Sequence, residues 1–213
     1  MYKFLLLLLS FIYAEITNEQ LLDQLFNEDD WILSEVLSDN SSVYIKDVDE
    51  IQIQAIKITR DIDFNPRIIL DSILLDIDNY NNVLISSTNV NTVLIDNLEI
   101  LDSTHIIGKQ EISIPFLPDL YYYFAIQHNT NKNRTTWLLK SPTLFLENPD
   151  KGSLSIGCGG WDYINHGNGN FTINYRLVID IIGYPNRIID YVNYNSLVNV
   201  FNDVLNTQLF KID

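Results

Sequence analysis

GGWDYINHGNGNFTINYRLVIDIIGYPNRII, residues 159–189, decides the fold. A β-type run reaches Gly167-Asn168-Gly169-Asn170, a glycine-rich turn of the kind that joins two antiparallel strands. The returning strand is long and apolar and ends at Asp180. Gly183-Tyr184-Pro185 then breaks the strand, and Pro185 pre-sets the backbone for a first helical turn. Beyond it Ile188, Ile189, Val192, Val198, Phe201, Val204, Leu205 and Leu209 form an apolar stripe, so residues 185–210 are expected as one long helix. Strand, turn, strand and closing helix describe a sheet wrapped around a helix able to shut a pocket.

Working outward from there, residues 154–163, 134–141, 120–128, 104–114 and 92–101 also read as strands. They are separated by turn signals at Asn129 to Asn133, Pro115 to Pro118, Asp102-Ser103 and residues 148–152. Further upstream, residues 31–37, 42–46 and 51–59 read as three antiparallel strands. Asn65-Pro66 starts a helix over 66–77 with Ile69, Leu70, Ile73, Leu74 and Ile77 on one face. Thr17 followed by Gln20 is a capping-box pattern that opens a first helix over 18–27. The order is helix, three strands, helix, six strands, long helix, with neither a repeat nor a linker.

The 213 residues fit one domain, and 46% apolar content excludes general disorder. Lys3, the apolar run 4–13 and small Ala14 read as a secretory leader over 1–14, leaving residues 15–213 as the domain. That run is too short for the roughly 20 apolar residues of a membrane-spanning helix. The expectation is an exported monomer, in a bacterial periplasm by preference, with the three Asn-x-Ser/Thr sequons at Asn40, Asn133 and Asn170 read as chance in an Asn-rich chain. A formal charge of −15 repels phosphate backbones and anionic headgroups. Nucleic acid is excluded as a partner on that ground, and contact with a bilayer is expected to be transient.

Catalytic and metal chemistry finds little footing. His105, His128 and His166 lie in separate elements without a second ligand at metal spacing, so no metal or cofactor is expected. Asp76, Asp78 and Asn81 lack the glycine and closing glutamate of a calcium loop, and helix-end solvation accounts for them better. Gly157-Cys158-Gly159-Gly160 has no following lysine and helix, which makes it a site of close packing within a strand rather than a phosphate loop. Cys158, the single cysteine, has no basic neighbour in sequence to activate it and can form no internal disulfide.

The aromatic and aliphatic residues are the informative inventory. With alternating strands, Tyr122, Phe124, Trp137, Leu139, Trp161, Tyr163, Phe171, Ile173 and Tyr175 share one face. They are ordinary core if the centre is filled, and the wall of an apolar pocket with a few polar tips if it is hollow.

The pattern resembles the START domain, the lipid-transfer module of the helix-grip fold, over residues 31–209. The residues that carry the likeness are Leu70-Asp71 through Asp76 with Tyr80, Pro115 and Asp119 ahead of Tyr121-Tyr122-Tyr123-Phe124, and Gly160-Trp161. Thr172 with Tyr175, Asp180 with Gly183 and Pro185, and Ile188-Ile189 complete it. Pro118, Arg187 and Asp190 depart from the family's arginine, tryptophan and asparagine. The resemblance implies an α+β helix-grip fold, a curved antiparallel sheet of about nine strands around a long C-terminal helix. It also implies a non-catalytic protein that binds and transfers a hydrophobic small molecule or lipid. Ile189 and Val192 of the helix join Tyr122, Phe124, Trp137, Leu139, Trp161, Tyr163, Ile173 and Tyr175 as the expected ligand contacts. Polyketide cyclases use a similar fold, but the strands offer few inward acid or base groups beyond Gln110 and the tyrosines. A filled-core domain acting through protein contacts is the third reading.

Overall fold

The two hydrogen bonds of a capping box open the first helix of the computed structural model, which describes residues 16–48, 51–84, 90–100, 103–112, 120–141, 153–154, 156–181 and 183–207. Thr17 Oγ1 accepts from the Gln20 amide at 3.2 Å and Gln20 Oε1 accepts from the Thr17 amide at 3.0 Å. The expected leader 1–14, the turns at 115–118 and 148–152, Pro115, Pro118, Asp119 and Leu209 lie outside the described residues.

Helix α1 spans Asn18–Phe26 and is followed by β1 (Ile32–Val36), β2 (Ser42–Val48) and β3 (Ile53–Ile62). Then come α2 (Arg67–Ser72), α3 (Ile77–Val83), β4 (Val90–Ile100), β5 (Ser103–Ile112), β6 (Leu120–Asn129) and β7 (Arg134–Lys140). The two-residue β8 (Ser153–Leu154), β9 (Gly157–Gly167), β10 (Asn170–Ile179) and α4 (Asn186–Asn206) complete the order. Nine strands form one antiparallel path, β1-β2-β3-β10-β9-β7-β6-β5-β4, and β8 pairs in parallel with β6. The β9–β10 hairpin turns on Asn168 and Gly169, both left-handed at φ 56° and 81° as a two-residue loop requires.

The helix expected over 66–77 is two short helices. Asp76 leaves the helical region and its carboxylate accepts from the Asn79 amide at 3.0 Å, capping α3 anew. Ile69, Leu70, Ile73, Leu74 and Ile77 are all buried, so the apolar spacing was legible while the break inside it was not. On α4 the inward face runs Ile189, Asn193, Leu197, Val200, Phe201 and Val204, whereas Ile188 is 40% exposed. Asn193 interrupts the apolar stripe at no loss, because its amide donates to the Ile179 carbonyl at 2.9 Å.

Glycines on the sheet seat aromatic rings. Gly108 lies opposite Phe124 and Gly159 opposite Trp137, and in each case a Cβ would strike the ring within 2.6 Å. On the other face Gly160 makes room for Phe26 of α1. The glycine run at 157–160 is therefore a packing device, as its sequence context suggested. Both edge strands of the path carry a register irregularity, between Leu33 and Glu35 in β1 and between Leu94 and Asp96 in β4. Gly108→Ala should lower stability by about 1–3 kcal/mol through overpacking. Adding Phe124→Leu should recover part of that loss, and urea unfolding of the two single variants and the double variant measures the coupling. Strictly additive losses would refute the seating of the ring on Gly108.

Candidate ligand-binding site

Strand register places the expected wall residues on one face. Tyr175 pairs with Trp161 and Ile173 with Tyr163, Trp137 pairs with Ile126, and Leu139 pairs with Phe124. Tyr122 pairs with Gln110, which brings the edge of the sheet into the same concave surface. Helix α4 packs against the β3 and β10 end of that surface. Its Tyr194 hydroxyl donates to Glu35 of β1, and its Asp190 carboxylate accepts from the Gln54 amide at 3.1 Å.

The wall residues differ in what covers them. Trp161 is stacked between Tyr175, with centroids 4.3 Å apart, and Phe201 of α4 at 5.6 Å, and it is 2% exposed. Ile173, Leu139, Phe124, Tyr122, Tyr175, Phe171 and Ile189 are buried. Trp137, Tyr163 and Val192 keep partial exposure, as does Ile126, which the sequence inventory omitted. Trp137 borders both hydrophobic clusters of the core.

Three phenols meet in this surface. Burial pushes the Tyr80 hydroxyl up to about 12. Tyr122 and Tyr175 are pushed well above the ordinary phenol value, first by burial and then by the nearby Tyr80. The Tyr122 hydroxyl donates to Gln110 Oε1, and both side chains are buried. Thr92 of β4 pairs with Gln110 and so extends the polar patch. Its backbone exchanges two hydrogen bonds with the Asn81 side chain of α3, which holds α3 over the start of β4. Tyr80, which carried only part of the family likeness, and Thr92 were not among the expected ligand contacts, because their placement depends on α3 folding back over the sheet.

A second polar contact ties α2 to the same face. Buried His128 meets Thr135 Oγ1 through Nδ1 at 2.8 Å and the Asp71 carboxylate through Nε2 at 3.3 Å, and Arg67 pairs with Asp71 at 3.1 Å. His128 had been read as a scattered histidine, and its partner lies 57 positions upstream on α2, outside any motif window. Among the described residues no group of three or more His, Cys, Asp or Glu could hold a metal ion. Cys158 is buried, and burial raises its thiol far above the reactive range.

Cations collect on the opposite, convex face. Arg176 is 1% exposed, pairs with Asp162 at 2.8 Å and with Glu28, and lies with Arg134 against the Phe26 ring. Lys57 pairs with Glu28 at 2.7 Å, and Lys46 donates to three carbonyls at the end of α1. Burial alone would raise the Glu28 carboxyl, but Lys57 and Arg176 together hold it below the usual carboxylate range.

Burial lowers the His128 imidazole below its ordinary 6.5, against Asp71, which raises it, and with Arg67, which lowers it further. The folded state thus binds fewer protons than the unfolded chain. The resulting stability is present above 6.5 and is lost as pH falls through the lower folded value. His128→Gln should flatten the acid side of the stability profile between about pH 7.5 and 5. Parallel pH profiles in wild type and variant would show that the imidazole does not carry this dependence.

No protein-family model matches the chain, and no curated protein matches it. Solved structures do. Human STARD10 is similar over 91% of this chain and 80% of its own, at 16% identity and a TM-score of 0.63. A STAR-related lipid transfer protein from Xanthomonas axonopodis is similar over 83% of this chain and 97% of its own, at 10% identity and a TM-score of 0.64. Human StAR-related lipid transfer protein 5 covers 87% and 89%, at 11% identity and a TM-score of 0.60. At such identities the likeness is one of fold: a curved nine-strand antiparallel sheet with a C-terminal helix, the START or helix-grip architecture.

Proposed function

We propose that this chain is a non-catalytic carrier. It holds a lipid, sterol-like or acyl molecule between the concave sheet and α4 and moves it through an aqueous compartment outside the cytoplasm. The observation that carries the reading is the uneven burial of the concave face. Trp137, Ile126 and Val192 keep accessible surface while their neighbours Phe124, Leu139, Ile106 and Ile189 are buried. Accessible apolar surface among buried neighbours on a concave face supports a space open to ligand. Trp137, Tyr122, Phe124, Leu139 and Val192 are assigned to contact with ligand, and Trp161, Ile173 and Tyr175 to backing that wall. Burial of each ligand methylene contributes about 0.8 kcal/mol, so a long apolar body binds without specific contacts. The lipid-transfer proteins of the same fold support the reading by analogy. Binding is favoured over catalysis because the buried His128 imidazole is already engaged by Thr135 and Asp71.

Entry is assigned to the first half of α4, hinged at Gly183, which sits at φ 91° in open space. Leu197, Phe201 and Val204 anchor the second half at 0% exposure, while Ile188 and Tyr191 are exposed.

A neutral polarity-sensitive probe such as Nile red should bind at one per chain. Trp137→Ala should weaken it by roughly 1–3 kcal/mol in the range of a large aromatic contact, with a smaller change in melting temperature. A folded wild-type protein that binds no such probe would overturn the carrier reading. Hydrogen exchange should show amides of 188–194 protected on ligand addition while those of 171–177 stay unchanged. Protection that ignores ligand in both segments would remove the hinge.

A further inference from the structure

The concave face is not uniformly apolar: besides Arg60 on β3 and the His128–Thr135 contact between β6 and β7, it carries a polar group at its β4–β5–β6 end. Thr92 is 4% exposed, and its Oγ1 is buried with no hydrogen-bond partner among the described residues. A buried hydroxyl left unpaired costs about 1–3 kcal/mol, so a native position of this kind calls for a partner. Cross-strand register sets Thr92 beside Gln110 and Gln110 beside Tyr122 on one face. The Tyr122 hydroxyl already donates to Gln110 Oε1. The Tyr80 phenol lies close enough to Tyr122 and Tyr175 to affect both.

Among the described residues, the next same-face register neighbours of Thr92, Gln110 and Tyr122 are the uncharged Leu94, Gly108 and Phe124. Lys109, Lys140, Arg134, Arg176, Lys57 and Lys46 belong to the convex face or to its rings, carbonyls and carboxylates. Arg60 shares the concave register but stands on β3, with five strands between it and β4, held by Asp39, Ser41 and Asn202. A phosphate or carboxylate placed beside Thr92 would be desolvated without a counter-charge, which is far more unfavourable than burying a neutral oxygen. The raised phenols report the same hostility to negative charge.

We propose that Thr92, Gln110 and Tyr122 form a neutral polar subsite that receives an uncharged hydroxyl at one end of an otherwise apolar ligand. Thr92 Oγ1 accepts from, or donates to, that hydroxyl, and the Gln110–Tyr122 pair fixes its position. This assignment rests on the carrier reading and narrows it, setting phospholipids and ionised fatty acids below sterol-like alcohols, long-chain alcohols and acylglycerols. A rigid ring system and a flexible chain present the same hydroxyl chemistry, so the body of the ligand is a separate question.

Displacement of Nile red by dodecan-1-ol, dodecane, dodecanoate and dodecyl phosphate at about pH 8 tests the subsite. Dodecan-1-ol should displace the probe at least tenfold better than dodecyl phosphate or dodecanoate, and better than dodecane. Thr92→Val, which keeps the shape and removes the hydroxyl, should erase the margin of alcohol over alkane while leaving the melting temperature unchanged or higher. Gln110→Leu should erase it as well. Dehydroergosterol and a monoacylglycerol in the same assay separate ring from chain, and tight displacement by either supports the hydroxyl site. Equal displacement by alcohol, alkane and phosphate, or an alcohol margin that survives Thr92→Val, would overturn the subsite and leave the carrier standing. Absence of Nile red binding to the folded protein would overturn both.

Discussion

The pairing of β3 with β10 is the contact on which the rest depends. Every other antiparallel neighbour in the sheet is joined by a short or moderate connection, whereas Ile56 to Ile62 of β3 meet Leu177 to Phe171 of β10 across more than a hundred residues. That register brings the three N-terminal strands against the C-terminal hairpin and creates the surface over which α4 lies. Without it the chain would consist of two meanders, each with an unburied face. Closing so long a loop carries an entropic cost that rises only slowly with length, and the apolar partners Ile56, Ile58, Ile173, Tyr175 and Leu177, all buried, offset it. Phe201 against Trp161 then fastens the helix to the joined sheet.

The two faces of that sheet have divided the chemistry between them. The convex side holds its guanidinium and ammonium groups in pairs beneath α1, so the acidic chain keeps much of its positive charge on this side. Arg134 and Arg176 gain a further partner in the Phe26 ring, at 3.9 and 4.7 Å. What is left for the concave side is mainly aromatic, aliphatic and neutral polar surface, with Arg60 and the Asp71–His128 contact as its charged exceptions.

Local signals were the legible ones. The capping box at Thr17 and Gln20, the turn at Asn168 and Gly169 and the shared face of Tyr122, Phe124, Trp137, Trp161 and Tyr175 follow from spacing alone. What escaped depends on pieces far apart in the chain. Asp76 ends one helix and starts another inside an apolar pattern that continues through the break. Asn193 hides a polar group on the buried face of α4 because a strand carbonyl waits there. Asp71 and His128 meet only once α2 lies across the sheet, and Thr92 joins Gln110 only once β4 has paired. Hydropathy reads the period of an element, and it has no access to what that element will lie against.

Among the described residues the nine-strand path ends in β1 and β4, and both borders carry apolar side chains: Ile32, Leu33 and Val36 on β1, and Val93, Leu94, Ile95 and Leu98 on β4, all stand exposed. Such borders invite another chain to add on and propagate. The slips in register after Leu33 and after Leu94 bend each border and interrupt the straight row of amides and carbonyls that an incoming strand would need. Crooked borders thus oppose edge-to-edge growth, and straightening either one would present an unbroken row of backbone donors and acceptors, the first layer of a fibre.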